Sequence, residues 1–247
     1  MVQNNNLKEI NLNGGVLIIG SLLWDENELR ENWRNKSLRI ADKIKVSAPI
    51  RYGRVSKSRN YTFSMVFSQE CNDKDKMGKA FFVPFRDNPI DFDKLKTQTI
   101  ELIKSERDKP DAGERFNWDW GALTIVLNPK ILLKDSDKYI QANALLYYWE
   151  KCYGNGFNPD NYKVGEEIPV LDKRGVLSFT WPDELKDYDF LIATATKPDR
   201  DKYPTAKEIT DRIIVNEYSE YFENNIKSGI ETFQDKHIRE ILTSNIK

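Results

Sequence analysis

The sequence predicts an α+β fold, with strands gathered early and helices dominating late. Strand-like apolar runs gather in the first half of the chain, while helix-period patterns are interspersed there and dominate later. No internal repeat, low-complexity tract or long linker separates independent units. The 247 residues, 39% hydrophobic and 31% charged, can bury a substantial core and have the balance of a soluble globular chain.

Val16, Leu17, Ile18 and Ile19 form an aliphatic run that stops at Gly20-Ser21, the pattern of a buried strand entering a tight turn. A glycine there lets a ligand approach the backbone N–H groups. Leu29 and Trp33, four residues apart in polar surroundings, predict a short helix over 26–36. Strands follow at 46–55 and 61–67, joined by the polar Ser56-Lys57-Ser58-Arg59-Asn60, and another at 78–84 after a charged loop. Phe92, Leu95, Thr99, Leu102 and Ile103 recur at helical spacing over 91–107, and Lys109-Pro110-Asp111-Ala112-Gly113 ends that helix. A strand at 121–127, a helix at 139–153, a loop at 152–159 and a strand at 190–196 come next. Thr205 and Glu208 have capping-box spacing and predict one long helix to about residue 224; a last helix covers 231–244. The core is assigned to 13–130 and a mainly helical C-terminal extension to 131–247, packed on the core as one unit.

Composition excludes several classes of function. A net charge of −1 gives no global field toward nucleic acid or anionic membrane. Residues 1–10 lack the apolar run of a signal peptide, and no apolar stretch approaches the roughly 18 residues needed to span a bilayer. A cytoplasmic protein with neither nucleic-acid nor membrane partner is expected, with its oligomeric state left open. Cys71 and Cys152 have no neighbouring cysteine, which excludes a zinc knuckle or a CxxC pair. His237 is the sole histidine and reads as a surface residue, so a two-histidine metal site is excluded. No metal and no cofactor are expected, and acid–base chemistry falls to carboxylates, lysines or tyrosines.

The segment Ile19-Gly20-Ser21-Leu22, with Trp24 two residues on, resembles the turn after the first strand of gamma-glutamylcyclotransferase-like proteins. Gly78-Lys79-Ala80-Phe81-Phe82-Val83-Pro84 is similar to that family's glycine-opened strand, and Leu102-Ile103-Lys104-Ser105-Glu106 to the helix leading into its catalytic glutamate. The resemblance covers about residues 16–127, and Ile19 stands where members carry tyrosine. It implies a mixed β-sheet or small barrel with flanking helices, and a transferase or lyase that cyclises a γ-glutamyl amine or peptide to 5-oxoproline. By the same match Glu106 is the general base, and Gly20, Ser21 and Leu22 cradle the substrate, with Trp24 beside them.

The α-amine of such a substrate attacks its own γ-carbonyl, so the protein supplies shape, a base and oxyanion stabilisation rather than a nucleophile. Glu101, Glu114 and Asp119 are rival carboxylates, Asp119 the strongest because it stands between Trp118 and Trp120. Arg51, Arg54, Lys57 and Arg59 form a basic cluster able to orient a small acidic or γ-glutamyl metabolite, with Arg51 taken as a substrate-binding residue. The alternative is a non-catalytic small-molecule-binding or interaction protein on the same fold. A third reading places an anion near Lys197–Thr205, ahead of a capped helix.

Overall fold

β1 (Gly14–Ile18) is buried along its whole length and lies at the middle of a five-stranded mixed sheet. The structure, a computed structural model, describes residues 10–113, 115–153 and 157–244. The sheet order is β2 (Ile44–Ala48), β5 (Gly78–Pro84), β1, β7 (Phe190–Thr196) and β6 (Gly121–Leu127). β1 runs parallel to β7, with Leu17 opposite Ala193, and antiparallel to β5, with Leu17 opposite Phe82. The continuous apolar runs of β1, β6 and β7 follow from burial on both faces.

β3 (Ile50–Ser56) and β4 (Thr62–Phe67) form a separate two-stranded sheet. The single strand expected over 46–55 is broken at Pro49, which has no N–H to donate to a ladder. Ser68 N–H instead bonds the Pro49 carbonyl at 2.9 Å, closing the base of the hairpin. Because β3 and β4 hydrogen-bond to each other and not to β2 or β6, the expected barrel is not closed. The α+β class and the mixed sheet are present; the barrel is corrected to an open sheet plus a hairpin.

Six α-helices flank the strands among the described residues: α1 (Glu28–Ser37), α2 (Phe92–Arg107), α3 (Tyr139–Tyr153), α4 (Ala206–Val215), α5 (Glu220–Lys227) and α6 (Asp235–Ser244). Asn27 caps α1 by accepting from Leu29 N–H, and Asp91 caps α2 by accepting from Lys94 N–H. α1 packs on α2, and α4 packs on α6 and β4. The long helix expected from residue 205 to 224 is two helices. α4 ends at Asn216, Glu217 takes a left-handed φ of 51°, and Tyr218 N–H turns back to Ile213 O at 3.1 Å. The final helix starts later than expected, after Asp235 has accepted from the Thr232 N–H and hydroxyl at 2.8 and 2.7 Å. β7 lies beyond the boundary drawn at residue 130, so the sheet crosses that boundary. No helix among the described residues is long and apolar enough to cross a membrane.

One glycine outside the predicted motifs fixes a connection onto this sheet. Gly175 has φ +75°, its carbonyl accepts from the Thr124 hydroxyl at 2.7 Å, and a Cβ there would stand 2.0 Å from the Tyr153 ring. The left-handed backbone penalises a side chain, and the buried Tyr153 has no room to withdraw. Gly175→Ala is expected to lower the unfolding free energy by about 2 kcal/mol, measured by urea denaturation. A loss near zero would mean that Tyr153 repacks freely.

Candidate functional site

β1 stops at Ile18 while its neighbour β7 runs on to Thr196, and the chain turns through Gly20 into one 3-10 turn, Ser21–Leu23. Leu23 N–H bonds Gly20 O at 3.1 Å, and Asp25 N–H bonds Ser21 O at 2.8 Å. The turn is fixed from three sides. Arg34 on α1 donates to Leu22 O at 2.9 Å, Trp24 Nε1 donates to Asn225 Oδ1 on α5 at 2.8 Å, and Arg59 donates to the Ser21 hydroxyl.

This turn walls a cavity of about 820 Å³. Gly20, Ser21 and Leu22 line it together with Glu106 from the last turn of α2. Thr194 and Thr196, two apart on β7, share the cavity face, as strand alternation requires. Arg54, Lys57 and Arg59 enter from the β3–β4 hairpin, and Tyr221 from α5. The size is that of a metabolite pocket, and its lining mixes aliphatic walls with both signs of charge.

Asp25 organises the charges beside Glu106. It pairs with Arg30 and, at 3.1 Å, with Arg59, while its other contact is the Asn27 N–H at 3.0 Å. Burial works to raise the Asp25 pKa, but the Asn27 N–H and the two guanidinium groups outweigh it and hold the carboxyl below its usual range. Arg30 is also tied to α2, through Nε to Ser105 O at 3.2 Å. Glu106 differs. Burial pushes its pKa above the ordinary carboxylate value, Asp25 adds to the push, and Arg30, the Thr194 hydroxyl and Arg59 offset it only in part. A carboxyl raised toward neutrality can take a proton at one step and return it at the next.

Of the sequence-derived site residues, Glu106, Gly20, Ser21 and Leu22 come together in one cavity. Trp24 does not line it; its ring stands behind the turn, tilted against Tyr221 at 6.0 Å and under the Arg59 guanidinium at 5.5 Å. Arg51, expected to bind substrate, does not line the cavity. Its guanidinium pairs with Glu70 at 2.7 Å and stacks on Tyr203 at 4.0 Å, away from the cavity. Among the rival carboxylates, Asp119 lines the cavity, Glu101 pairs with Lys104 at 2.9 Å, and Glu114 lies outside the described residues.

The loop ahead of α4 uses its charges internally. Lys197 donates to the Trp118 and Asp119 carbonyls, Asp199 accepts from Val55 N–H, and Glu208 closes a capping box with Thr205. That arrangement leaves the anion reading without support. His237 is exposed on α6, with Nδ1 3.2 Å from a Glu240 oxygen. Among the described residues no group of His, Cys, Asp and Glu is arranged to hold a metal ion.

Asp25, Arg30, Thr194 and Tyr221 were not singled out by sequence reasoning. Asp25 carried a local signal, directly after the Gly-Ser-Leu-Leu-Trp motif; Thr194 and Tyr221 carried none, because tertiary approach alone brings them here. The chain matches no family model, no curated protein and no solved structure.

Proposed function

We propose that this chain is a gamma-glutamylcyclotransferase-like enzyme that converts a γ-glutamyl amine or peptide to 5-oxoproline and a free amine. The observation that carries the reading is that Glu106 and the Gly20-Ser21-Leu22 turn, 84 or more residues apart in sequence, line one cavity. Glu106 takes a proton from the substrate α-ammonium, and the freed amine attacks the γ-carbonyl. The Ser21 and Leu22 N–H groups open the 3-10 turn, where backbone donors lack intrahelical acceptors and are free to bond the developing negative charge. Holding the γ-glutamyl group folded on itself supplies the proximity that the intramolecular step needs. Across the reaction the attacking nitrogen gives up two protons and the departing nitrogen gains two. Glu106 passes them between the two, so no co-reactant is consumed.

The test is release of 5-oxoproline from a panel of γ-glutamyl amino acids, amines and peptides, followed chromatographically. No release from any member rejects the reading. The second reading, ligand binding without turnover, draws on Ile19: an apolar residue packed against the core stands where the resembled family carries a tyrosine. Thermal stabilisation by γ-glutamyl compounds with no 5-oxoproline formed would favour it.

A further inference from the structure

We infer that Tyr221, on α5, donates a hydrogen bond to the carbonyl oxygen of the bound ligand and to the oxyanion that grows there. The assignment of that oxygen as a γ-carbonyl rests on the proposed cyclotransferase reading.

Tyr221 is 5% exposed and lines the same cavity as Glu106. Its ring is held in place, tilted against Trp24 and lying 5.3 Å from the Arg59 guanidinium. A donor already approaches its hydroxyl oxygen. Met65 N–H on β4 reaches it at 3.3 Å. Asn225, one turn along α5, uses Oδ1 to accept from Trp24 and keeps a buried amide nitrogen that bonds nothing among the described residues. With its oxygen accepting from Met65, the phenol has its proton left to give, and it donates no hydrogen bond among the described residues.

The hydroxyl oxygen lies against Gly20. A Cβ at that position would lie 2.8 Å from the Tyr221 oxygen, so the phenol reaches the turn only because residue 20 is glycine. Tyr221 therefore presents a buried donor in the cavity that Gly20, Ser21 and Leu22 also line. Burial raises its pKa further above neutrality, which keeps the donor proton in place.

In the proposed reaction a bond forms from the α-nitrogen to the γ-carbon, and the carbonyl π pair moves onto oxygen. Tyr221 O–H holds that oxyanion without giving up its proton. The pair then returns, and the bond to the departing nitrogen breaks. A donor placed this way acts on kcat more than on KM, because the hydrogen bond strengthens as charge develops.

The experiment has two arms. Tyr221→Phe keeps the ring and its contacts but removes the hydroxyl; kcat for 5-oxoproline release is expected to fall about 10²-fold, with KM changed less than threefold. Unchanged kcat, or a change confined to KM, in a folded Tyr221→Phe protein overturns the inference while leaving the cyclotransferase reading intact. The second arm uses wild-type protein with ¹³C-labelled tyrosine, titrated with 5-oxoproline and observed at the Tyr221 Cζ resonance, and so does not depend on turnover or on folding of the variant. Movement of that resonance supports the donor role even if no γ-glutamyl compound is cyclised, an outcome that sinks only the catalytic reading. A Tyr221 resonance that stays fixed at saturating 5-oxoproline overturns the inference.

Discussion

Under the proposed cyclotransferase reading, Glu106→Gln is expected to reduce 5-oxoproline release by 10²–10⁴-fold, the range typical for loss of a general base. The amide keeps the length and most of the volume of the side chain but cannot accept the substrate proton. Loss of activity through misfolding can be separated from loss of chemistry by the sign of the linkage. Burial raises the Glu106 pKa, so the folded protein binds this proton more tightly than the unfolded chain does. The favourable contribution is complete below the ordinary glutamate pKa and is lost as pH rises through the higher folded value. A neutral glutamine has no such loss. The variant should therefore melt at or above the wild-type temperature near pH 7 while turning over little substrate. Asp119→Asn, on the rival carboxylate in the same cavity, is the control and should leave the rate within about threefold. A folded Glu106→Gln protein with wild-type kcat would remove Glu106 from the mechanism, and an inactive Asp119→Asn protein would mean that Glu106 is not the sole carboxylate the reaction needs.

The contrast between Glu106 and Arg51 shows how far the sequence carries this site. Val16–Ile19 announced a buried strand because four aliphatic residues in a row need two covered faces, and β1 has them. The helical spacing of Leu95, Thr99, Leu102 and Ile103 also fixed which face of α2 is buried. Where Glu106 points depends on how α2 is docked, and α1 supplies that docking through Arg30, which spans Ser105 and Asp25. Arg51 and Arg54 looked alike in the sequence, yet they share a strand and reach different surroundings. Arg54 lines the cavity, whereas Arg51 is consumed by Glu70 and the Tyr203 ring. Charge composition cannot separate such cases, because the partner residues are distant in sequence. The same limit applies to the closure of the sheet: Pro49 was visible, but whether β3 would rejoin β2 across it is decided by packing. It also applies to Tyr221, brought to Gly20 by an α4–α5 break whose left-handed residue is a glutamate and not the glycine that would have signalled it.

Asp25→Asn is expected to destabilise the fold by about 3 kcal/mol and to move the acid limb of kcat/KM to lower pH. Asp25, Arg30 and Arg59 have side chains only 16%, 14% and 13% exposed, so removing the shared carboxylate leaves two poorly solvated guanidinium groups without their counter-charge. The folded Asp25 pKa is depressed, and its stabilisation is present above the unfolded value and lost as pH falls through the folded one. The stability difference between wild type and variant should consequently be full at neutral pH and should shrink in strong acid. The kinetic effect has the opposite origin. The Asp25 charge helps to raise the Glu106 pKa, and Arg30 and Arg59 lower it. Removing the first while keeping the other two makes Glu106 more acidic, so the base becomes available at lower pH. Chemical denaturation across a pH series measures the first effect, and the pH dependence of kcat/KM measures the second. A stability loss with an unmoved acid limb would mean that the Asp25 pairs only hold the turn, and that a group other than Glu106 carries the proton.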